Sequence, residues 1–135
     1  MRKKMKLLIC TVISAVFAVS CQQSQTPATA KNEIKQVSVQ ETSEAVKSEN
    51  VQFIDVRTVE EYQSGHAPKA VNLPLDNLGA ELAKLDKEKP VYVICQTGRR
   101  SQIAAELMQK NGFMELYNVK GGTSAWSSAN LPLEK

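Results

Sequence analysis

Histidine, cysteine and long apolar runs are all scarce in this chain of 135 residues. The one histidine and the three cysteines, Cys10, Cys21 and Cys95, match no zinc-binding spacing and no disulfide scaffold. Positive charge is also scarce beyond the start, because four of the 17 lysines and arginines fall within the first six residues. From Cys21 onward the remaining 13 basic residues (17 minus 4) face 14 acidic ones, which excludes a general attraction to nucleic acid.

The N-terminal segment has the pattern of a signal peptide. A basic start, Met1–Lys6, precedes an apolar run of 13 residues that ends at Val19. A bilayer-spanning helix needs about 20 residues, so this run is too short to span and fits a signal-peptide core. Ala18-Val19-Ser20-Cys21 resembles a bacterial lipobox, although Ala18 stands where leucine is usual. We interpret residues 1–20 as a lipoprotein signal peptide and Cys21 as the lipidated residue; an ordinary cleaved signal, with Cys21 as an incidental thiol, is the alternative.

The rest of the chain divides into a tether and one domain. Residues 21–35 are polar apart from alanine, proline and Ile34, and such a segment buries too little apolar surface to offset its ordering entropy. Residues 36–135 contain all six glycines and alternate strand-like with helical runs, which predicts an α/β domain with a parallel sheet covered on both faces. We predict strands over 36–39, 51–56, 70–73, 91–95 and 116–119, and helices over 42–48, 59–63, 76–85, 102–110 and 123–128.

The candidate chemistry lies in one loop after the most apolar strand, which ends at Cys95. Sites in open α/β sheets form beyond the carboxyl ends of the strands, and a thiol beside a helix N-terminus is favoured as the thiolate. Gly98 lets successive amides turn inward as an anion-binding nest, and Arg99 and Arg100 add positive charge before Ser101 opens a helix. The pattern predicts a nucleophile within an anion site; a small buried hydrophobic residue is the alternative for Cys95.

The segment Cys95-Gln96-Thr97-Gly98-Arg99-Arg100-Ser101 resembles the active-site loop of single-domain rhodaneses, the thiosulfate sulfurtransferases. Two further segments resemble the signatures of that family in matching order: Asp55-Val-Arg57 with Glu61-Tyr62, Gly65-His66-Ala67 and Ala70-Val-Asn-Leu-Pro74, and then Gly121-Gly122 with Trp126. The likeness covers residues 37–133, and the type it most resembles is the small periplasmic rhodanese of the phage-shock kind.

The resemblance implies a three-layer rhodanese-like fold with a five-stranded parallel sheet, and a two-step reaction that needs no metal or organic cofactor. Cys95 would take a sulfane sulfur from a small anionic donor such as thiosulfate and pass it, through a persulfide, to cyanide or to a small-molecule or protein thiol. Gln96, Thr97, Gly98 and Ser101 would cradle that sulfur, and Arg100, with Arg99 beside it, would hold the anionic part of the donor. We expect a monomer, anchored by lipid to a membrane of the periplasm or cell envelope.

Several alternatives remain open at this point. Asp55 interrupts an apolar strand, either as a catalytic carboxylate or as a buried acceptor that ties a loop through Arg57. His66 and Trp126 are interpreted as structural residues. The function is either that of a sulfurtransferase or that of a sulfur-carrying or redox-sensing module that turns over thiosulfate poorly. Only four residues separate Cys95 from Arg100, one fewer than in cysteine phosphatases, which predicts negligible phosphatase activity.

Overall fold

A computed structural model describes residues 32–135 of the chain. The predicted signal peptide, Cys10, the proposed lipidation site Cys21 and most of the predicted tether lie outside the described residues. Among the helices that are described, none is both long and apolar enough to cross a bilayer.

A five-stranded sheet forms the centre of the domain, and all of its strands are parallel, as the sequence predicts. The strand order is β1-β5-β4-β2-β3. The central strand β4 is buried at every position, which is typical of a parallel strand covered by helices on both faces. The strands are β1 (Ile34–Val37), β2 (Gln52–Asp55), β3 (Val71–Asn72), β4 (Val91–Ile94) and β5 (Leu116–Val119).

Helices cover both faces of the sheet and complete the three-layer fold. They are α1 (Val39–Ala45), α2 (Val59–Ser64), α3 (Leu78–Glu81), α4 (Arg99–Lys110) and α5 (Gly122–Ser128), with 3-10 turns over Leu75–Asn77 and Leu82–Lys84. One core cluster joins alternate strand residues such as Ile54 and Val93 to α3 and α4. The other joins Phe53 and Ile94 to α1, α5 and Trp126.

The sequence prediction differs from the structure at the start of β1, at the start of α1, over 76–85, and at the start of α4, which begins at Arg99 and not at residue 102. β1 begins at Ile34, inside the predicted tether, because that residue pairs with Leu116 of β5. Val39 opens α1 rather than ending the strand, because Ser38 caps the helix and forms a capping box with Glu41. The predicted helix over 76–85 is a four-residue helix between two 3-10 turns.

Candidate active site

Cys95 follows β4 directly and lies at the carboxyl edge of the sheet, where the neighbouring strand β2 also ends. Its backbone carbonyl accepts a hydrogen bond from the N–H of Thr123 at the start of α5 (2.8 Å). The residue is 1% exposed and is the one free cysteine of the described part of the chain. The sheet therefore places a single buried thiol at the edge where parallel α/β folds form their sites.

Two polar groups lie within hydrogen-bond distance of the Cys95 sulfur, one from its own loop and one from the first turn of α4. The N–H of Gly98 donates to Sγ at 3.1 Å, and the Ser101 hydroxyl oxygen lies 3.3 Å from Sγ. Burial raises the pKa of the thiol, but the Ser101 hydroxyl and the backbone N–H groups of Ser101, Thr97 and Gly98 lower it by more, so the pKa lies below its ordinary value. The loop is thus built to stabilise an anion on sulfur.

Two residues fix the shape of the loop: Gly98 through its backbone conformation, and Gln96 through the hydrogen bonds of its side-chain amide. Gly98 adopts a φ of +95°, and a Cβ there would lie 3.4 Å from the carbonyl oxygen of Val119. The exposed side chain of Gln96 donates to the Ser124 hydroxyl and accepts from the Thr123 hydroxyl, both at 2.9 Å. Through Gln96, the predicted cradle of amides is therefore hydrogen-bonded to the N-terminus of α5.

The two arginines that open α4 differ in their surroundings. Both terminal nitrogens of Arg100 donate to the Glu61 carboxylate at 2.7 Å, so this guanidinium already faces an anion. Those bonds lower the pKa of Glu61 to about 2, although burial raises it, and Glu61 is therefore ionised near neutrality. Arg99 is exposed at the first residue of α4, and no ion pair of its side chain occurs among the described residues.

Asp55 and Arg57 form a buried ion pair beside the loop. Arg57, 3% exposed, donates to both carboxylate oxygens of Asp55 at 2.7–3.0 Å and to the carbonyl oxygen of Gly65 at 2.8 Å. The amide of Asn72 donates to the backbone carbonyls of Asp55 and Arg57, which ties the end of β2 to β3. The structure thus gives Asp55 the loop-tying contacts of a buried acceptor, with its carboxylate engaged by Arg57.

His66 and Trp126 make structural contacts. The imidazole of His66 stacks on Tyr62 with ring centroids 3.7 Å apart, and its Nδ1 lies 3.0 Å from the Tyr62 carbonyl oxygen. The indole of Trp126 is buried against Phe53 and donates to the carbonyl oxygen of Pro132. Within residues 32–135, no group of three or more histidine, cysteine, aspartate or glutamate side chains is arranged to hold a metal ion.

Three residues that contact the loop or the start of α4 are not among the site residues that the sequence predicts. Glu61 lies in a segment that resembles the family signature, but its bond to Arg100 joins residues 39 apart in the chain. Asn118 bonds the Ser101 hydroxyl, and its one sequence signal is a polar residue inside the apolar strand β5. Gly122 packs directly under the backbone of Cys95, and the Gly-Gly pair in the sequence was its signal.

The rhodanese-like domain model matches residues 38–129 of the chain. Among curated proteins, the thiosulfate sulfurtransferase GlpE of Shewanella oneidensis is 34% identical over 96 residues, which is 71% of this chain and 95% of GlpE. The candidate sulfur carrier protein YrkF of Bacillus subtilis is 36% identical over 95 residues, 70% of this chain. The match spans only about half of YrkF, 51% of its length.

Solved structures of rhodanese-like proteins superpose on the fold of this chain. A rhodanese-like domain protein from Staphylococcus aureus superposes with a TM-score of 0.66 at 32% identity, over 76% of this chain and all of that one (100%). A rhodanese-related protein from Thermoplasma volcanium gives a TM-score of 0.67 at 26% identity, over 74% of this chain and 97% of the other.

Proposed function

Because the chain belongs to the rhodanese-like domain family, we propose that it is a sulfurtransferase that moves a sulfane sulfur from a small anionic donor to a thiophilic acceptor through a persulfide on Cys95. The observation that carries this proposal is the Cys95 sulfur, buried at the sheet edge with the Gly98 N–H and the Ser101 hydroxyl directed around it. The relatives named for thiosulfate sulfurtransferase activity support the choice of donor.

The transferred sulfur keeps its sulfane oxidation level across the two steps, and the electron pair that Cys95 gives up in the first step returns to it in the second. The Cys95 thiolate attacks the outer sulfur of thiosulfate, the S–S bond of the donor breaks, and sulfite leaves with the bonding electron pair. The acceptor, as cyanide or a thiolate, then attacks the outer sulfur of the persulfide, and Cys95 departs as a thiolate. The N–H groups of the loop stabilise the anion that sulfur carries before and after each step.

The ion pair between Arg100 and Glu61 leads to a specific prediction about donor charge. Replacing Arg100 by alanine leaves the ionised Glu61 carboxylate without its partner at the start of α4, and its uncompensated charge should repel an anionic donor. We expect kcat/KM for thiosulfate to fall about tenfold to a hundredfold, the equivalent of one charge-assisted hydrogen bond, with a smaller loss for a neutral persulfide donor. Steady-state kinetics with both donors measure the difference.

The double variant Arg100→Ala/Glu61→Gln is the matched control for that prediction. It removes the uncompensated carboxylate, so the preference for thiosulfate over the neutral donor should partly return. Equal losses for both donors in Arg100→Ala, with no recovery in the double variant, would mean that Arg100 shapes the loop and does not govern the charge at the site.

A sulfur-carrying module is the second candidate function, and the likeness to YrkF favours it. The two functions differ in the number of turnovers. The full chain with excess thiosulfate and cyanide should produce thiocyanate continuously if it is a sulfurtransferase. A carrier would load one sulfur on Cys95, release a rapid single equivalent of sulfite, and then form thiocyanate no faster than cyanide removes sulfur from a free persulfide. Sulfite and thiocyanate measured over time in one reaction therefore decide between the two.

The short loop also predicts what the site does not catalyse. A phosphoryl group needs room for three equatorial oxygens around an in-line attack, whereas the ring from Cys95 to Arg100 is one residue shorter than in cysteine phosphatases and its sulfur already contacts Gly98 and Ser101. We expect negligible hydrolysis of aryl phosphates beside clear thiosulfate turnover. Phosphatase activity that exceeds sulfur transfer and disappears in Cys95→Ser would contradict the proposed function.

We also propose that the mature protein is anchored through lipid on Cys21 to a membrane of the periplasm or cell envelope. The basic start, the short apolar run and the small residues before Cys21 support this placement. Replacing Cys21 by alanine should therefore move the protein from the membrane to the soluble fraction. Cys10→Ala is the control and should stay anchored, because Cys10 lies in the segment that is removed. A soluble wild-type protein would favour the ordinary cleaved signal.

A further inference from the structure

The Ser101 hydroxyl is shared by two neighbours at the base of the active-site loop. Its oxygen lies 2.6 Å from Oδ1 of Asn118 and 3.3 Å from Sγ of Cys95, and all three residues are at least 95% buried. A serine hydroxyl carries one proton and so makes one donated hydrogen bond at a time. Two potential acceptors therefore face a single proton.

The orientation of the Asn118 amide follows from its other contacts. Its Nδ2 lies 3.1 Å from the carbonyl oxygen of Gly98, which can only accept. Gln102 provides a second acceptor. Its Nε2 donates to the Glu106 carboxylate, so its Oε1 is the atom that faces Nδ2 of Asn118, at 3.2 Å. Nδ2 is thus held by acceptors on one side, and Oδ1 must be the atom that meets Ser101. Because Oδ1 only accepts, the Ser101 hydroxyl donates to it.

The sulfur then has two different relations to Ser101. While Cys95 is a neutral thiol, its S–H can donate to the Ser101 oxygen, and every group in the chain of contacts is satisfied. When Cys95 ionises, the sulfur becomes an acceptor and needs the hydroxyl proton that Asn118 holds. The hydroxyl can turn to the sulfur, since a charged acceptor binds a proton more strongly than a neutral amide oxygen. That turn leaves Oδ1 of Asn118 buried without a donor, which has a cost.

We propose that Asn118 is a positioning residue for this site, which competes with the Cys95 sulfur for the single proton of the Ser101 hydroxyl and releases it when the sulfur becomes an anion. The proposal deepens the sulfurtransferase function proposed above and rests on it for its role in the reaction. Asn118 never contacts the sulfur in this arrangement; it acts through Ser101. Its consequence is that the amide restrains formation of the thiolate, while the hydroxyl promotes it.

Other charges around Cys95 are paired or exposed to solvent. From β2, the buried Asp55 carboxylate is matched by Arg57. From α4 and α2, Arg100 is matched by Glu61. Arg99 is exposed at the start of α4, Lys120 is exposed after β5, and α5 contains no charged residue. None of these charges changes when Ser101 or Asn118 is replaced by an uncharged residue, so a change in the titration of Cys95 reports on the hydroxyl.

The test is a titration of the Cys95 thiolate by its ultraviolet absorbance. The protein is the full chain with Cys10 and Cys21 replaced by serine. The absorbance of the same chain carrying Cys95→Ser is subtracted at each pH, because this difference cancels the absorbance of the tyrosines. Ser101→Ala should raise the midpoint, because the thiolate loses its donor. Asn118→Leu should lower it by about 0.5–1 pH unit, the shift that one neutral hydrogen bond supports, because the hydroxyl becomes free to face sulfur.

The double variant Ser101→Ala/Asn118→Leu makes the test specific. If Asn118 acts through the hydroxyl, its replacement has no further effect once that hydroxyl is gone, and the double variant titrates like Ser101→Ala. Thr42→Val removes a buried hydroxyl from α1 and should not move the midpoint, and Asn118→Ala serves as a second variant if Asn118→Leu does not fold.

A midpoint that rises or stays unchanged in Asn118→Leu would overturn the proposal. So would an equal fall in the presence and absence of the Ser101 hydroxyl, because Asn118 would then act on the sulfur by another route. The pH profile of kcat/KM with thiosulfate should shift with the thiolate midpoint. Absence of any thiosulfate turnover in the parent chain would instead defeat the proposed function, while the titration would still decide the competition for the proton.

Discussion

We expect that replacing Cys95 by serine abolishes sulfur transfer. A hydroxyl in the same position cannot form a persulfide. The loop from Cys95 to Ser101 contains no second sulfur atom that could take over the step. The assay is thiocyanate formation from thiosulfate and cyanide, and the expected rate is that of the reaction without protein.

The fold of Cys95→Ser should be retained, because the serine oxygen is smaller than sulfur and can accept the hydrogen bond that the Gly98 N–H now makes. Thermal unfolding of both proteins checks this point and separates loss of the nucleophile from loss of structure. A variant that is folded and still transfers sulfur at the wild-type rate would contradict the assignment of Cys95 as the nucleophile.

The second large effect is expected from Gly122→Ala. An alanine Cβ would lie 2.2 Å from the carbonyl oxygen of Cys95 and 2.6 Å from the carbonyl carbon of Gln96, which are backbone atoms of the active-site loop. The φ of +56° is itself unfavourable for alanine, by about 1–2 kcal/mol. The loop must move away by roughly 1 Å, a displacement that can lower a rate about a hundredfold. We expect a loss of that size or more in kcat/KM, together with a lower unfolding temperature.

Gly79→Ala is the matched control for Gly122→Ala. Gly79 lies in α3, and no atom lies within 4 Å of a Cβ built there. The same substitution at that position should leave sulfur transfer unchanged and stability equal or slightly higher, because alanine is favoured over glycine in a helix. Wild-type kinetics in Gly122→Ala would show that the close approach of α5 does not set the shape of the loop.

The architecture was predictable from the sequence because it depends on local patterns. The apolar run before Cys95 marks a strand buried on both faces, and the parallel sheet follows from strands that alternate with helices. The capping box of Thr58 and Glu61 was also predictable, since it joins residues three apart. The family resemblance added the number of strands, five, and the three-layer arrangement. The structure confirms both.

The contacts around the sulfur were less predictable because they join distant parts of the chain. Arg100 meets Glu61, and Ser101 meets Asn118, through elements brought together only by the sheet. The start of β1 was placed too late for the same reason, since Ile34 belongs to a strand only by virtue of its pairing with Leu116. Sequence patterns located the candidate nucleophile, while tertiary packing decides which neighbours surround its sulfur.

The central claim is that Cys95 carries the transferred sulfur, and the most direct measurement is the intact mass of the protein after brief exposure to thiosulfate. We predict the addition of one sulfur atom, located on the peptide that contains Cys95, removed by cyanide and absent from Cys95→Ser. A protein whose mass stays unchanged, or whose added sulfur persists in Cys95→Ser, would contradict persulfide chemistry at this residue.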